Sequence, residues 1–333
     1  MSLEGERRKS LVRLAREVTR WGVFSGLAGA SLLAASAKYY WLGEAACHFR
    51  LYLGWIGIAV CGLLALMRSW RLCVLGGAFA FWHLWPGLGL AFGEVPEPRG
   101  STLDVAAANV LWDNPHPEAF VSWLEAEDPE IVAVLEVSSI WLGILDDLRA
   151  KYPHQVLAPS LEEGWIESTW GIALLSKVPF ERVERLPIPR RSMPVLDVDI
   201  RFDGELVTFR TLHPSRPGNP NRIAARNEQL RTMIEGLSWE GRIVLMGDLN
   251  TTSHAPIFGE LLRRTGLRDT RHGFGRLPTF NGGNALAFVT LPPMWIPIDH
   301  ILVSEGLEVF ERKAGPAIGS DHLPISARLG LAR

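Results

Sequence analysis

Residues 243–250 read IVLMGDLN. The apolar run predicts a buried strand from Ile243 to Asp248, and two polar residues, Asp248 and Asn250, stand at its end. Strand ends are places where a rigid sheet can present side chains to one shared cleft. Taken alone, the pair could equally form an ordinary turn. The stretch therefore predicts either a turn or one corner of a polar site.

The same pattern, an apolar strand with polar residues at one end, recurs along residues 103–330. Further strands are predicted at Leu103–Leu111, Glu130–Val137, Gly171–Ser176, Pro194–Phe202, Leu206–His213, Ile298–Ser304 and Pro324–Leu329. Helices are predicted at Glu118–Glu127 and Asn221–Leu237. Many strands with few helices between them predict a layered α/β sandwich of two packed sheets.

The polar residues at these strand ends form a chemically coherent set. They are Asn109, Glu136, His213, Asp248, Asn250, Asp299, Asp321 and His322. Singly, each is as well explained as a turn or loop residue. Together they supply oxygen ligands for a hard divalent cation, neutral amides, and histidines near carboxylates. Phosphoryl transfer needs such groups to neutralise charge, to donate to phosphoryl oxygens and to handle protons.

Three apolar stretches precede this region: Trp21–Ala37, Leu51–Met67 and Leu72–Phe92. None contains Asp, Glu, Lys or Arg, and aromatic residues stand at their edges, as at membrane interfaces. A bilayer core needs about 20 apolar residues as helix, which the third stretch reaches and the first two approach. We expect three transmembrane helices. A cleaved signal peptide for the first stretch, and buried helices of a soluble domain, are the alternatives.

The distribution of Lys and Arg predicts the orientation. The N-terminal segment and the loop after the second stretch hold eight, and the opposite side holds three. The positive-inside rule then places the N-terminus in the cytoplasm and, after three crossings of the inner or plasma membrane, the C-terminal domain outside. A single re-entrant hairpin formed by the second and third stretches is the alternative to two of these crossings. The predicted domains are a cytoplasmic basic segment (1–20), a transmembrane anchor (21–92), a linker (93–102) and a catalytic domain (103–330).

Charge and cysteine content restrict the function of the C-terminal part. Residues 101–333 carry 23 Lys and Arg against 30 Asp and Glu, an acidic balance that makes nucleic acid a less favoured partner. The three cysteines, Cys47, Cys61 and Cys73, all precede this part, so it holds no disulfide or cysteine-based metal site.

The motifs resemble, in order and spacing, the endonuclease/exonuclease/phosphatase superfamily, which has the DNase I-like fold. The matching stretches are NVLWDN (109–114), VLEV (134–137), GIALLSK (171–177), LHP (212–214), GDLN (247–250), IDHILVS (298–304) and SDHLPI (320–325). The resemblance covers residues 103–330. It implies a four-layer α/β sandwich, with two packed β-sheets flanked by helices.

The resemblance also implies roles. Glu136 is the expected principal ligand of Mg²⁺ or Mn²⁺, helped by Asn109 and Asp321. Asp248 orients or deprotonates the attacking water, and Asn250 and His213 donate to phosphoryl oxygens. His322 acts as general acid/base or transition-state stabiliser, with Asp299 holding its ring. The last pair also has an independent rationale, because a carboxylate bonded to imidazole fixes its tautomer.

Three apolar stretches before such a domain resemble bacterial membrane phosphatases linked to glycopeptide resistance, which are thought to act on undecaprenyl diphosphate. Arg216, Arg222 and Arg226 then suit a diphosphate, although a solvated helix face is an alternative for at least one. Trp295 lies in an apolar segment, 286–298, that either rests on the membrane or packs as core. The expected partners are the bilayer and a phosphorylated lipid, with no protein partner. A nuclease or phosphodiesterase, and a non-catalytic membrane receptor, are the competing functions.

Overall fold

The computed structural model describes residues 3–159, 171–186, 194–282 and 294–332. The chain divides into two compact units. One comprises Met1–Gly89 with His254–Pro256, and the other comprises Leu90–Ser253 and Ile257–Arg333. Most of the apolar segment predicted to lie near the membrane, 286–298, falls outside the described residues, and only its last five residues can be placed.

The N-terminal region forms four α-helices: α1 (Leu3–Ala35), α2 (Trp41–Cys47), α3 (Arg50–Leu66) and α4 (Trp70–Ala91). The predicted basic segment is helical and continuous with the first apolar stretch in α1. Helices α3 and α4 approach closely at Gly57, where a Cβ atom would lie 2.9 Å from the Cβ of Ala80. Small residues at such crossings allow helix backbones to pack tightly.

Among the described helices, α4 alone, with 22 residues, is long and apolar enough to cross a bilayer unaided. Helices α2 and α3 qualify only as a bent pair, with 74° between their axes. Helix α1 is not a candidate, because its first half is charged and its apolar part is short. The structure thus contains one or two candidate spans, and the three-span anchor stays a prediction.

The second unit contains the α/β fold. Its elements are β1 (Leu103–Asn109), α5 (Pro117–Glu127), β2 (Ile131–Val137), α6 (Ser139–Asp147), β3 (His154–Pro159), β4 (Gly171–Ser176), β5 (Phe180–Leu186), β6 (Val195–Phe202), β7 (Glu205–Thr211), α7 (Pro220–Gly236), β8 (Arg242–Asp248), α8 (Pro256–Thr265), β9 (Arg268–Asp269), β10 (Phe280–Asn281), β11 (Trp295–Ile296), β12 (Asp299–Val303), β13 (Leu307–Ala314) and β14 (Ile325–Leu331).

Two six-stranded mixed sheets dominate this unit. Sheet A has the order β13-β14-β1-β2-β4-β3, and sheet B has the order β5-β6-β7-β8-β12-β9. Each contains one parallel pair at its centre, β1 with β2 and β7 with β8. A parallel pair needs a crossover connection, and α5 and α7 supply it. Strands β10 and β11 form a separate two-stranded ribbon.

The sheets pack face to face. One apolar cluster joins Val105 and Leu135 of sheet A to Phe209, Val244 and Met246 of sheet B, all essentially inaccessible to solvent. Successive residues in a strand point to opposite faces, so the alternate residues of sheet A bury Phe120 of α5 and Trp141 of α6 on its outer side. The result is an α/β sandwich of two sheets flanked by helices, as the sequence predicted.

The predicted strands occur at their predicted places, and no end is shifted by more than two residues. The first strand ends at Asn109 instead of Leu111, because Leu111 adopts a positive φ of 59° that breaks the extended conformation. Eight described elements of this unit had no prediction: α6, β3, β5, α8, β9, β10, β11 and β13. Strand β5 is mostly exposed and charged, so its hydrophobic pattern is weak.

Candidate active site

The predicted site residues lie at one common edge of the two sheets. Asn109 ends β1, Glu136 is the penultimate residue of β2, and Asp248 ends β8. His213 follows β7 by two residues. These strands are the two central parallel pairs, and the carboxyl ends of parallel strands meet at the same edge. The strand topology therefore brings these four side chains together, although Asn109 and Asp248 are 139 residues apart in the sequence.

Two antiparallel strands deliver the remaining residues to the same edge. Strand β12 runs against β8 and begins at Asp299, which pairs in register with Asp248. Strand β14 runs against β1, so the segment just before it, which contains His322, returns to the end of β1. There the Ser320 hydroxyl donates to the carbonyl oxygen of Asn109 at 2.7 Å and accepts from the backbone N–H of His322 at 3.1 Å.

A β-bulge presents Glu136. The register between β2 and β4 shifts between Leu135 and Val137, and Glu136 has a φ of 62°. A non-glycine residue in this left-handed region is strained, and such strain is common at functional sites. The carboxylate is 8% exposed and accepts from Asn109 Nδ2 at 2.9 Å. The bulge turns a side chain of the core strand into the cleft.

Asp248 is the most highly connected carboxylate of the site. It is 1% exposed and accepts from Asn109 Nδ2 at 3.3 Å and from the backbone N–H of Asn250 at 2.8 Å. His213 Nε2 lies 3.3 Å and His322 Nε2 lies 3.7 Å from its Oδ2 atom. Burial alone would raise the pKa of Asp248, but the two imidazoles outweigh burial and lower it to about 2.

His322 and Asp299 form a buried dyad. Nδ1 of His322 lies 2.9 Å from Oδ2 of Asp299, and the Phe280 ring packs on the imidazole with centroids 4.8 Å apart. Burial works against charge on the imidazole, but Asp299, Asp248 and the exposed Asp321 raise the pKa of His322 to about 10. The ring is therefore held protonated, in a fixed orientation, with Nε2 directed towards Asp248.

Asp299 has the opposite electrostatic environment to Asp248. Burial and the nearby Asp248 carboxylate raise its pKa, against the opposing influence of His322. The Thr279 hydroxyl accepts from the backbone N–H of Asp299 at 3.3 Å.

The pKa of His213 is raised, as that of His322 is. Burial opposes protonation of His213, but the hydrogen bond to Asp248 and the charges of Asp248 and Glu136 raise its pKa.

The residues predicted to bind substrate lie in different environments. Arg216 is exposed, and its guanidinium lies 5.5 Å from the centroid of the Phe280 ring. Arg222 is exposed in the first turn of α7, and Trp295 in β11 is partly buried. Arg226 is completely buried and donates to the backbone carbonyl of Asn250 at 2.7 Å. Arg226 therefore differs from the prediction of a diphosphate contact, because α7 turns this position towards the protein interior.

The donor set fits a hard divalent cation at Glu136. One atom each of Asp248, Asp299 and His322 lies within 4.8 Å of the others, which makes a second candidate group of ligands. We favour Glu136, because an imidazole that is bonded to Asp299 and held protonated cannot donate a lone pair to a metal. Carboxylate and amide oxygens, which Mg²⁺ and Mn²⁺ prefer, are supplied there by Glu136 and Asn109.

Two contributors to the site were not predicted as site residues. Phe280 supports the His322 ring, and Thr279 accepts from the backbone at Asp299. Their stretch, PTFN at 278–281, includes the two residues of β10 and carries no charge or metal-ligand pattern, so the sequence gives no sign of their role. Gly247, in the GDLN motif, also has no predicted role of its own. It has a φ of 149°, and its backbone packs directly against the carbonyl oxygen of Leu212.

Comparison with solved structures identifies the fold. An endonuclease/exonuclease/phosphatase from Beutenbergia cavernae DSM 12333 is similar with a TM-score of 0.57 and 20% identity, over 70% of this chain and 72% of that one. A humanized D. rerio TDP2 gives 0.56 and 18%, over 69% and 100% of the two chains. The human Nocturnin catalytic domain with bound sulfate gives 0.53 and 14%, over 72% and 97%. No curated protein matches the sequence.

The sequence of residues 106–322 matches the endonuclease/exonuclease/phosphatase family. This match runs from within β1 to His322 and includes every residue of the site built above. Members of the family are hydrolases of phosphate esters and generally depend on a divalent metal ion. The chain therefore belongs to the endonuclease/exonuclease/phosphatase family.

Proposed function

We propose that this chain is a membrane-anchored, divalent-metal-dependent phosphatase. Its substrate is a phosphate or pyrophosphate ester carried on a lipid, such as a polyprenyl diphosphate, and the catalytic domain faces away from the cytoplasm. The observation that carries the hydrolase assignment is the buried set Glu136, Asp248 and His322 at one sheet edge. The lipid assignment is supported by the apolar helices α3 and α4 and by the acidic charge of the C-terminal part.

The chemistry follows from the charge state of each group. A carboxylate with a pKa of about 2 is a weak base, so Asp248 serves to orient the attacking water and to accept its hydrogen bond. His322, held protonated, donates to oxygens on which negative charge develops. His213 and the Asn250 amide are further donors. A divalent ion held by Glu136, with Asn109 and Asp321, would neutralise phosphate charge.

Arg216 supports recognition of a second phosphoryl group. Its exposed guanidinium stands over one side of Phe280, whose ring also contacts His322. A guanidinium beside the ring that supports His322 can bind two oxygens of a neighbouring phosphate. This placement favours a diphosphate over a monophosphate.

An activity panel on the purified full-length protein tests the proposal. It compares a polyprenyl diphosphate, a phospholipid, a sugar phosphate, plasmid DNA and single-stranded RNA, each with Mg²⁺, Mn²⁺ or EDTA. We expect phosphate release from the polyprenyl lipid that needs metal and is lost in His322→Ala. Cleavage of DNA alone, also lost in that variant, would overturn the lipid assignment and leave a nuclease.

The nuclease alternative has a specific basis. A similar structure, D. rerio TDP2, is complexed with a single-stranded DNA product, and it matches with a TM-score of 0.54 over 69% of this chain. A non-catalytic receptor predicts binding without turnover in every arm of the panel. Topology has its own test: alkaline phosphatase fused after Arg333 should be active in cells, and an inactive fusion would place the domain in the cytoplasm.

A further inference from the structure

Helix α7 carries two buried polar side chains on one face. Arg226 and Gln229, three residues apart and so neighbours on the helix surface, are 0% and 1% exposed. Burying a guanidinium or an amide is costly unless its hydrogen bonds are satisfied within the protein. The hydrogen-bond partners of these two side chains therefore show which segments of the chain the helix positions.

Arg226 holds the strand-end residue Asn250. Its Nη1 atom donates to the backbone carbonyl oxygen of Asn250 at 2.7 Å, while Nε and Nη2 donate to Asn227 Oδ1 at 3.1 and 2.9 Å. Asn250 has a φ of 51°, in the left-handed region that side-chain-bearing residues rarely adopt. Such a conformation persists only when its surroundings impose it.

Gln229 holds the loop that follows His213. Its Oε1 accepts from the backbone N–H of Ser215 at 2.8 Å, and its Nε2 donates to the Ser215 hydroxyl at 3.0 Å. The loop and Asn250 are also joined directly, because Asn250 Nδ2 donates to the carbonyl oxygen of Pro214 at 3.0 Å. Helix, loop and strand end thus form a closed ring of hydrogen bonds.

We propose that Arg226 and Gln229 form a clamp that positions the phosphate-facing donors of the site. The clamp acts through Asn250 on one side and through the 213–216 loop, which carries His213 and Arg216, on the other. Neither residue touches substrate, so both are positioning residues. The proposal rests on phosphoester hydrolysis at this site and is independent of the lipid nature of the substrate.

The test is a double-mutant cycle on the full-length protein. Arg226→Met keeps the volume and removes every donor, and Asn250→Gly removes the amide while tolerating the positive φ. Arg231→Met is the matched control, because Arg231 lies on the same helix, half exposed, in a surface pair with Glu260 at 3.2 Å. The kcat and KM values of each variant are measured with the substrate that the wild type hydrolyses fastest.

We expect Arg226→Met to lower kcat by about 10- to 100-fold, as a small displacement of aligned groups does, with a much smaller change in KM. In the Asn250→Gly background the same substitution should lower kcat less than about threefold, since the group it positions is gone. Arg226→Lys, which keeps one donor, should recover part of the activity. Equal losses in both backgrounds, or an unchanged kcat in Arg226→Met, would overturn the clamp.

Thermal unfolding separates positioning from folding. If Arg226→Met does not fold, Gln229→Met is tested in a cycle with His213→Gln, because Gln229 holds the loop that carries His213. The loss of kcat should shrink to less than about threefold in the His213→Gln background, and equal losses in both backgrounds would overturn the clamp. If the wild type hydrolyses nothing in the panel, the proposed function fails, and the clamp is tested by calorimetric binding of inorganic phosphate with Mg²⁺. The clamp then predicts weaker phosphate binding in Arg226→Met, an effect absent from the Asn250→Gly background, and equal affinities would contradict it.

Discussion

Asp248, the last residue of β8, pairs in register with Asp299, the first residue of β12. Two buried carboxylates are thereby placed side by side at the end of a sheet, where their mutual repulsion is costly. His322 offsets this cost by lying 2.9 Å from one carboxylate and 3.7 Å from the other. The same arrangement that stabilises the pair creates an oriented imidazolium at the mouth of the site.

Replacing His322 should abolish most of the activity. In His322→Gln we expect kcat to fall by about 10²- to 10⁴-fold, because the variant loses the charged donor. Phosphate release from the best substrate of the panel measures it. His116→Gln is the control, since His116 is an exposed histidine paired with Glu118. Retention of more than half the activity in His322→Gln would contradict the assigned role.

Asp299 should act through His322. Asp299→Asn keeps the shape but removes the charge that holds the His322 imidazolium protonated and oriented, and we expect a kcat loss of about 10²-fold or more. In the His322→Gln background the substitution should have little further effect. Steady-state kinetics of the two single variants and the double variant measure the coupling. Fully multiplicative losses would show that Asp299 has a separate role.

Arg216 should discriminate between diphosphate and monophosphate substrates. Arg216→Met removes a charge-assisted contact to the second phosphate, so KM for a diphosphate should rise about tenfold or more. KM for p-nitrophenyl phosphate, which has one phosphate, should change less than about twofold. Arg231→Met serves as the exposed control on α7. Equal changes for both substrates would remove Arg216 from diphosphate recognition.

Gly247 should tolerate no side chain. It has a φ of 149°, and a Cβ atom there would overlap the carbonyl oxygen of Leu212. We expect Gly247→Ala to lower the free energy of unfolding by about 3 kcal/mol, combining backbone strain with overpacking. Gly204→Ala, in an open turn at φ 84°, should cost about 1 kcal/mol. Thermal unfolding measures the loss of stability in each variant, and equal losses in the two variants would refute the steric argument.

A buried ion pair away from the site should make stability depend on pH. Burial alone would raise the pKa of Asp269, but the charge and hydrogen bonds of Arg271 lower it well below its usual value. A depressed folded pKa stabilises the protein above about pH 4, the unfolded value, and this contribution is lost as the pH falls below it.

Asp269→Asn should therefore cost about 3–5 kcal/mol at pH 7, because it leaves Arg271 buried without its partner. The cost relative to wild type should shrink between pH 4 and pH 2. Unfolding midpoints across this range measure it. Glu205→Gln, which breaks an exposed pair with Arg242, should cost less than about 1 kcal/mol throughout. A pH-independent cost of Asp269→Asn would show that the carboxylate contributes no charge.

Local pattern sufficed for eight of the fourteen described strands and for the residue types of the site. The apolar run before Asp248 specifies a buried strand wherever it is placed, because its side chains must leave water. Strand β5 could not be predicted in the same way, since its residues are mostly charged and exposed and it is held by pairing with β6.

The sequence by itself determined the central strands, the family and the chemistry available at the strand ends, since these depend on residue type and order. Only the tertiary structure decided which side chains are exposed at the site and which are buried in the protein interior. Arg216 and Arg226 are ten residues apart and chemically identical, yet one is exposed beside Phe280 and the other is buried beneath Asn250. That difference arises because Arg226 lies on the buried face of α7, whereas Arg216 lies in the loop before this helix. It is set by contacts distant in sequence, which local pattern does not encode.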